Sequence, residues 1–254
     1  MAVLRYRPYQ AKSILNKLDS PDEDYLCTYT LNPYRGCEHG CRYCYVQSEK
    51  YIPYKEVKKR DEFFRRVEVK TNAPFLLRNE LSKIKRPALI CLGSACDPYQ
   101  LAEKKYRMTH RILEILLEFE MAVHILTKSD QVLEDLDLIK QINEKSVAIV
   151  TFSLITLKPG LIRIFEPSAP HPKKRLLALK KLRKEGILSG VALMPVLPYL
   201  TERSELTGVI KAAKEAEASY LLKSDLTLRD NPVSYTHLRA HETSLHLVCR
   251  LLLE

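Results

Sequence analysis

Three cysteines stand within eight residues of one another in the stretch NPYRGCEHGCRYCY, residues 32–45. They are Cys37, Cys41 and Cys44, at the spacing C-x3-C-x2-C. Their thiolates can face one point only if the backbone turns sharply, and Gly36 and Gly40 permit that turn because glycine adopts positive φ readily. Thiolates are soft ligands, typical of zinc, copper(I) and iron–sulfur clusters. The stretch is therefore predicted to be a metal-binding loop.

The kind of metal centre follows from the number of ligands. A structural zinc site usually closes four ligands drawn from two separated pairs. No second CxxC pair follows the loop, and no HxxxH pair occurs before residue 233. A [4Fe–4S] cluster held by three cysteines leaves one iron open to a substrate, which suits this loop better. Two alternatives stay open: a zinc knuckle with His39 as the fourth ligand, and cysteines that bind no metal.

The cysteine spacing resembles the signature of the radical SAM superfamily, whose cluster binds S-adenosylmethionine at the open iron. The longer string NPYRGC-x-HGC-x-YCY is similar to one branch of that superfamily, the spore photoproduct lyase-like proteins. The resemblance implies two cofactors, a [4Fe–4S] cluster and S-adenosylmethionine, and an electron donor such as a flavodoxin or a ferredoxin. It also implies reductive cleavage of S-adenosylmethionine to a 5′-deoxyadenosyl radical, which abstracts a hydrogen atom from the substrate.

Length and composition indicate the class of protein. The chain has 254 residues, of which 46% are hydrophobic, enough for a full core. No apolar run reaches the length of a membrane span, and the N-terminus lacks the apolar region of a secretory signal. Seven cysteines are an odd number, and the central three are too crowded for a disulfide framework. We therefore expect a protein of the reducing cytoplasm that does not enter a membrane.

The chain is basic, with 41 Lys and Arg residues against 31 Asp and Glu residues, a net charge of +10. Basic runs occupy Lys55–Arg66 and Lys173–Lys184. A basic face is compatible with nucleic acid as a partner. Solvated, lysine-rich helix faces are the alternative and the more common origin of such runs.

The C-terminal segment 233–254 calls for separate treatment. VSYTHLRAHET resembles the conceptual translation of a transposase sequencing adapter, and LVCRLLLE resembles the flanking primer in the same frame. We expect residues 232–254 to be a non-native tail and the natural sequence to be truncated near Asn231. An amphipathic C-terminal helix is the alternative. The predicted organisation is thus an N-terminal extension over residues 1–25 and a core domain over 26–231.

Strands and helices alternate through the core. Residues 1–24 are polar and predicted to be irregular. Strands are predicted at 26–31, 67–70, 87–93, 121–126, 147–154, 188–196 and 220–228. Helices are predicted at 74–84, with Asn72 as a candidate cap, and at 101–119, 132–143, 173–185 and 202–218. Gly186 is predicted to end the fourth helix. Six strands, all except 67–70, fit repeated βα units with right-handed crossovers. The fold class is therefore α/β, a partial (β/α)6 TIM-like barrel of parallel strands, which the family resemblance also implies.

In related barrels the functional residues follow the carboxyl ends of the strands. After the first strand, Tyr43 matches the family position that packs on adenine. Tyr45 is a candidate catalytic residue, because the lyases are thought to relay a radical through their tyrosine pair; shielding of the cluster from water is the alternative.

The second strand is followed by GSACDPYQLAE, residues 93–103, which is similar to the family string TDPYQ-x-x-E. Ser94 and Cys96 are therefore candidates to contact the methionine end of the cofactor. A thiol at Cys96 is also a candidate hydrogen-atom donor, whereas the position of the lyases' own donor cysteine falls on Ser94. Asp97 and Gln100 are candidate helix caps, and capping is the preferred interpretation of Asp97.

The later strand ends add four candidates by the same resemblance. Lys128 is a candidate to hold the cofactor carboxylate or ribose, and Ser153 matches a polar position that contacts the cofactor. FEPSAPHPKKR, residues 165–175, is similar to the family's EP-x-AP-x-x-x-R string. Arg175 could thus bind a carboxylate, or could pair with Glu166 instead. The fifth strand closes with MPVLP, so that Met194 is placed near the adenine.

Three functional hypotheses compete. The first is a radical SAM enzyme of unknown substrate. The second narrows this to a DNA photoproduct lyase, favoured by the basic charge and the tyrosine pair. The third is a zinc-dependent nucleic-acid-binding protein, which would be colourless and contain zinc rather than iron.

Overall fold

A computed structural model of the protein describes residues 5–22, 24–47, 63–85, 87–197 and 203–226. The predicted tail, residues 232–254, lies outside these ranges, as does most of the first basic run. Within the described ranges, no helix is long and apolar enough to cross a membrane.

The described part of the chain contains ten strands and seven complete α-helices, together with the helical residues 63–65. The strands are β1 (Arg5–Tyr9), β2 (Leu15–Lys17), β3 (Tyr29–Leu31), β4 (Tyr34–Arg35), β5 (Arg66–Lys70), β6 (Leu89–Leu92), β7 (Ala122–Thr127), β8 (Ala148–Ser153), β9 (Leu188–Val196) and β10 (Leu221–Asp225). The helices are α1 (Ala73–Leu81), α2 (Leu101–Tyr106), α3 (Met108–Glu118), α4 (Leu136–Lys145), α5 (Pro159–Phe165), α6 (Pro172–Lys184) and α7 (Arg203–Glu215).

Seven strands form the main sheet, in the order β10-β9-β8-β7-β6-β3-β2. Every pair from β3 to β10 is parallel, and β2 runs antiparallel to β3 at the edge. The six parallel strands follow one another in chain order and are the six that the sequence predicts. The α/β fold class is thereby confirmed. In the described residues β3 and β10 are not paired with each other, so the sheet is open, as a partial barrel requires.

The main core lies between this sheet and its helices. Alternate residues of the strands face the helices, among them Ile90 and Leu92 of β6 and Val150 of β8, all fully buried. They pack with the apolar face of α3, which includes Ile112 and Leu116. Runs of β-branched and leucine residues are typical of parallel strands covered by helices. Gly186, at φ +78°, follows the end of α6 as predicted.

Two predicted helices differ from those observed, and one was missed. The helix predicted at 101–119 divides at Arg107, whose φ is 49°. The buried carboxylate of Glu103 accepts hydrogen bonds from the backbone N–H groups of Thr109 and His110, and so caps the start of α3. The helix predicted at 132–143 begins as a 3-10 helix over Asp130–Asp135 and continues as α4. Helix α5 was not predicted.

The N-terminal residues are not irregular, and that prediction was wrong. β1 pairs in parallel with β5, which also pairs with β4, and these three strands form a second, small sheet. Asn72 does not cap α1 with its side chain; it exchanges two hydrogen bonds with the backbone of Ala11 instead. The N-terminal strands are short and largely exposed, so their hydrophobic pattern was too weak to predict them.

Candidate functional site

The cysteine loop follows β4 and turns at two glycines with positive φ. Gly36 has φ +94°, and a Cβ there would lie 2.5 Å from the carbonyl oxygen of Arg66. Gly40 has φ +66°, and its Cβ would contact Pro167 at 3.3 Å. Both positions therefore require glycine for the conformation, and Gly36 for the space as well. The predicted role of the two glycines is confirmed.

Residues 100–102 hold one side of the loop through three reciprocal hydrogen bonds. The backbone N–H of Glu38 donates to Gln100 Oε1 at 3.1 Å, and Gln100 Nε2 donates to the Gly36 carbonyl at 3.2 Å. Ala102 N–H donates in turn to Glu38 Oε1 at 3.0 Å, so Glu38 caps α2 from outside the helix. Gln100 is thus a loop anchor rather than the side-chain cap that the sequence suggested.

The end of α5 and the residues that follow it hold the other side of the loop. Arg42 N–H donates to the Phe165 carbonyl at 2.9 Å, and Ser168 N–H donates to the His39 carbonyl at 3.2 Å. The backbone on both flanks of Cys41 is therefore fixed by this one segment. The strings that resemble the family outside the cysteine loop are the ones that hold it in place.

The donor set of the loop fits an iron–sulfur cluster. Cys41 is buried and interacts electrostatically with both Cys37 and Cys44. Burial raises the pKa of the Cys41 thiol to about 11, although Lys128 opposes the shift, and burial also raises the pKa of Cys37. Binding to iron would replace these thiol protons.

Among the described residues, no three His, Cys, Asp or Glu side chains are grouped so as to hold a single metal ion. Cluster cysteines each bind a different iron, so a cluster site does not require their sulfur atoms to meet at one ion.

Asp97 connects the loop to two strand ends. Its Oδ1 accepts from Thr127 Oγ1 at 2.7 Å and from Tyr99 N–H at 2.9 Å, and its Oδ2 accepts from Lys128 N–H at 2.6 Å. Oδ2 also lies 3.3 Å from Nδ1 of the buried His39. The carboxylate accepts no hydrogen bond from the N-terminus of α2. The interpretation of Asp97 as a helix cap was therefore wrong.

Glu166 and Arg175 form a buried ion pair at 2.5 Å, with both side chains at 0% exposure. Arg175 also donates to the carbonyls of Pro170 at 2.9 Å and Ser153 at 2.8 Å. Of the two possibilities for Arg175, pairing with Glu166 is the one that the structure shows. Each of the three guanidinium nitrogens therefore donates a hydrogen bond to one protein acceptor.

The same carboxylate reaches two predicted cofactor contacts. Glu166 Oε1 accepts a hydrogen bond from the Tyr43 hydroxyl and lies 3.9 Å from Lys128 Nζ. Lys128 Nζ is 5.8 Å from the centre of the Tyr43 ring. Burial alone would lower the pKa of Lys128, but the charges of Cys41 and Glu166 raise it, so the ammonium stays protonated.

Ser94 and Cys96 lie beside Asn32, the first residue of the extended motif. Asn32 Nδ2 donates to Ser94 Oγ at 3.0 Å, and Asn32 Oδ1 accepts from Ala95 N–H at 2.8 Å. The Cys96 thiol, 6% exposed, donates to the Tyr34 carbonyl at 3.3 Å. The Tyr45 hydroxyl donates to the Ser94 carbonyl. Sequence reasoning did not single out Asn32, although it stands in the motif string.

Ser153 and Met194 lie at the ends of β8 and β9. The carbonyl of Ser153 accepts the bond from Arg175, and its side chain is partly exposed. Met194 Sδ accepts a hydrogen bond from the Tyr25 hydroxyl at 3.4 Å. Ser94, Cys96, Lys128, Ser153 and Met194 thus lie at or just after the carboxyl ends of β6, β7, β8 and β9, whereas the cysteine loop with Tyr43 and Tyr45 follows β4 and Arg175 lies in α6.

Comparison with known proteins decides the family. The profile of the radical SAM superfamily matches residues 31–207, which include the cysteine loop and, complete, four of the six parallel strands, β6 to β9. The chain belongs to the radical SAM superfamily.

Two relatives in sequence are uncharacterized proteins. A Mycobacterium tuberculosis protein is 36% identical over 209 residues, which cover 80% of this chain and 60% of the relative. A Methanocaldococcus jannaschii protein is 31% identical over 203 residues, 80% of this chain and 71% of the relative. The chain thus spans about three fifths of the length of its mycobacterial relative.

Solved radical SAM structures share the fold. A spore photoproduct lyase mutant with bound AdoMet and dinucleoside spore photoproduct superposes with a TM-score of 0.63 at 15% identity, covering 94% of this chain and 66% of the lyase. Streptococcus suis SuiB bound to S-adenosylmethionine gives a TM-score of 0.51 at 11% identity, covering 84% of this chain and 42% of SuiB. At these identities the likeness concerns the fold.

Proposed function

We propose that this protein is a radical SAM enzyme that binds a [4Fe–4S] cluster through Cys37, Cys41 and Cys44. The observation that carries the proposal is the anchored cysteine loop at the carboxyl edge of the parallel sheet. When bound, the cluster and S-adenosylmethionine supply reductive cleavage to a 5′-deoxyadenosyl radical for hydrogen abstraction. The buried cysteines suit a reducing compartment, and we place the protein in the cytoplasm.

The residues around the loop would position the cofactor and exclude water. Lys128, held protonated beside Glu166, offers a cation to the cofactor carboxylate or ribose. Tyr43 offers its ring to adenine while Glu166 fixes its hydroxyl. Arg175 acts through Glu166 and the Ser153 carbonyl, as a positioning residue rather than a direct contact.

The remaining candidates line the same edge. Ser94, Ser153 and Met194 are proposed to contact the cofactor. Tyr45 is 44% exposed beside Ser94. An exposed phenol at the rim suits a residue that meets the substrate, so we retain it as the catalytic candidate. Cys96 is enclosed by Asn32 and Tyr34, which favours a packing role for it.

The test is anaerobic reconstitution with iron and sulfide, followed by dithionite and S-adenosylmethionine. We expect a brown protein that releases 5′-deoxyadenosine, measured by liquid chromatography and mass spectrometry. A colourless protein that retains zinc and releases none would favour the zinc-binding alternative and refute the proposal.

A further inference from the structure

The outer face of the small sheet is a cluster of basic side chains. In register, Arg5 lies opposite Arg66, Arg7 opposite Glu68, Tyr9 opposite Lys70, and Arg35 opposite Glu68. Alternate residues of a strand point to the same side, and the intervening residues Val67 and Val69 are fully buried. One side of the sheet therefore presents the basic face, defined as Arg5, Arg7, Tyr9, Arg35, Arg66, Glu68 and Lys70.

This basic face carries four arginines, one lysine and one carboxylate, a net charge of +4, although Lys70 is half-buried and burial lowers its pKa. Glu68 lies 3.6 Å from Arg7, 3.6 Å from Arg66 and 4.0 Å from Arg35, so three guanidinium groups share it. The side chains of Arg7 and Arg35 are 62% and 72% exposed. Like charges side by side on a sheet are destabilising, so the stability of the sheet does not account for the cluster.

The inner face of the same sheet packs on the cysteine loop. Tyr34, Val67 and Val69 form a buried apolar cluster that includes Cys96 and contacts Cys37. The Cys37 backbone N–H is bonded to the Phe63 carbonyl, just before β5. One layer of sheet therefore separates the basic face from a predicted cluster ligand.

We propose that the basic face docks an acidic protein that delivers one electron to the cluster. The inference rests on the proposed function, because reductive cleavage of S-adenosylmethionine needs an electron from outside the protein. A reduced flavin or iron–sulfur centre of the donor would be oxidised by one electron, a cluster held by Cys37, Cys41 and Cys44 would be reduced by that electron, and no covalent bond would form or break.

The size of the basic face suits a transient redox complex. Five residues of strand and two inter-strand spacings give an area of about 17 Å by about 10 Å, which would form the charged centre of an interface of the small size that electron-transfer complexes have. Opposite charges on the two partners speed their encounter and orient the donor toward the loop. A nucleic acid would also bind cations, but the packing of the sheet against Cys37 gives it no particular advantage here.

The experiment compares two double variants with equal loss of charge. Arg7→Gln with Arg35→Gln removes exposed cations of the basic face, and Glu68 keeps Arg66 as its partner. The control is Lys181→Gln with Lys184→Gln, two exposed lysines of α6, a helix that packs on β8 and β9. An acidic flavodoxin is the probe. Its affinity is measured by titration, and cluster reduction is followed by bleaching of absorbance near about 400 nm.

The Arg7 and Arg35 variant should lose about tenfold in flavodoxin affinity and reduction rate at low salt. Its reduction by dithionite should be unchanged, and the control should retain both properties. The proposal is overturned if flavodoxin does not bind the parent protein, if both variants lose affinity equally, or if an oligonucleotide but no flavodoxin binds this face. Failure to form a cluster would refute the proposed function alone, because flavodoxin affinity is also measured on cluster-free protein.

Discussion

Nδ1 of His39 lies 3.3 Å from the carboxylate of Asp97, so the cysteine loop and the segment after β6 meet in a buried contact between an imidazole and a carboxylate. The same carboxylate accepts from Thr127 and from the backbone of Lys128 at the end of β7. One side chain therefore fixes the loop relative to two adjacent strands. Replacing it should affect both folding and cluster retention.

Stability should depend on pH through Asp97. Burial alone would raise its pKa, but His39 and the hydrogen bonds from Lys128 and Thr127 lower it from 3.8 to about 2. A carboxyl whose folded pKa is depressed stabilises the protein above its unfolded pKa and loses that contribution as pH falls through the folded value. The shift corresponds to roughly 2 kcal/mol.

Asp97→Asn should therefore lower the free energy of unfolding by about 2 kcal/mol at neutral pH and flatten its decline between about pH 4 and about pH 2. Urea unfolding of cluster-free protein at several pH values measures both effects. If the free energy of unfolding of the variant declined as steeply as that of the parent between about pH 4 and about pH 2, Asp97 would not be the cause of the decline.

Gly36→Ala should disrupt the loop. The new Cβ would lie 2.5 Å from the Arg66 carbonyl, and φ is +94°, so steric conflict and backbone strain add. We expect a loss of stability of about 2 kcal/mol or more and loss of bound iron. Gly208→Ala in α7 is the matched control, because nothing lies within 4 Å of the position that its new methyl group would take. It should stabilise the helix by about 0.5–1 kcal/mol. Equal effects of the two changes would contradict this account of the loop.

Each of Cys37→Ala, Cys41→Ala and Cys44→Ala should abolish the absorbance near about 400 nm that thiolate-bound iron gives. Cys91→Ala is the control, since Cys91 is a buried cysteine that lies in β6 rather than in the loop. Iron and sulfide are assayed after anaerobic reconstitution. Full iron content in all three single variants would mean that the cluster is held elsewhere.

Arg175→Lys should strongly destabilise the protein, although it keeps the positive charge. A single ammonium cannot replace the bonds to Pro170, Ser153 and Glu166, and Glu166 would keep a buried charge with a poorer partner. We expect a loss of about 3 kcal/mol. Lys180→Gln, which removes the exposed pair with Glu217, should cost less than about 1 kcal/mol. Chemical denaturation of both variants makes the comparison, and similar losses would refute a special role for the buried pair.

The parallel strands were predictable because buried strands are marked by composition. The run LSGVALMPV predicted β9 with its observed bounds, and the alternation of strands and helices gave the order of the sheet. The division at Arg107 could not be predicted, because the helical periodicity continues across it. It depends on Glu103, whose carboxylate accepts hydrogen bonds both from the Tyr34 hydroxyl in β4 and from the N-terminus of α3. Such long-range side-chain contacts leave no local pattern.

The candidate site could likewise be predicted only in part from the sequence. Motif residues were identified by resemblance, and Ser94, Cys96, Lys128, Ser153 and Met194 lie at or just after the ends of the parallel strands. Their partners were harder to assign, because Asp97, Gln100 and Arg175 each had a plausible local role. Gln100 bonds residues 62 to 64 positions away, and sequence distance conceals that contact. The basic face was also hidden, since its residues come from three strands far apart in the chain.

The remaining prediction concerns Cys96, where the family string has threonine. Its thiol is enclosed, donating to the Tyr34 carbonyl at 3.3 Å, and burial raises its pKa to about 12. A protonated, hydrogen-bonded thiol of this kind behaves as a small buried side chain. Cys96→Thr keeps a donor for the same carbonyl, so the variant should fold and retain its cluster. With dithionite it should release 5′-deoxyadenosine within about twofold of the parent rate, since the hydrogen bond replaced is worth about 1 kcal/mol. Cys96→Val, which lacks the donor, should lose about that much stability. If folded, cluster-loaded Cys96→Thr protein released no 5′-deoxyadenosine, the thiol itself would be required for cofactor binding, and the packing role would be excluded.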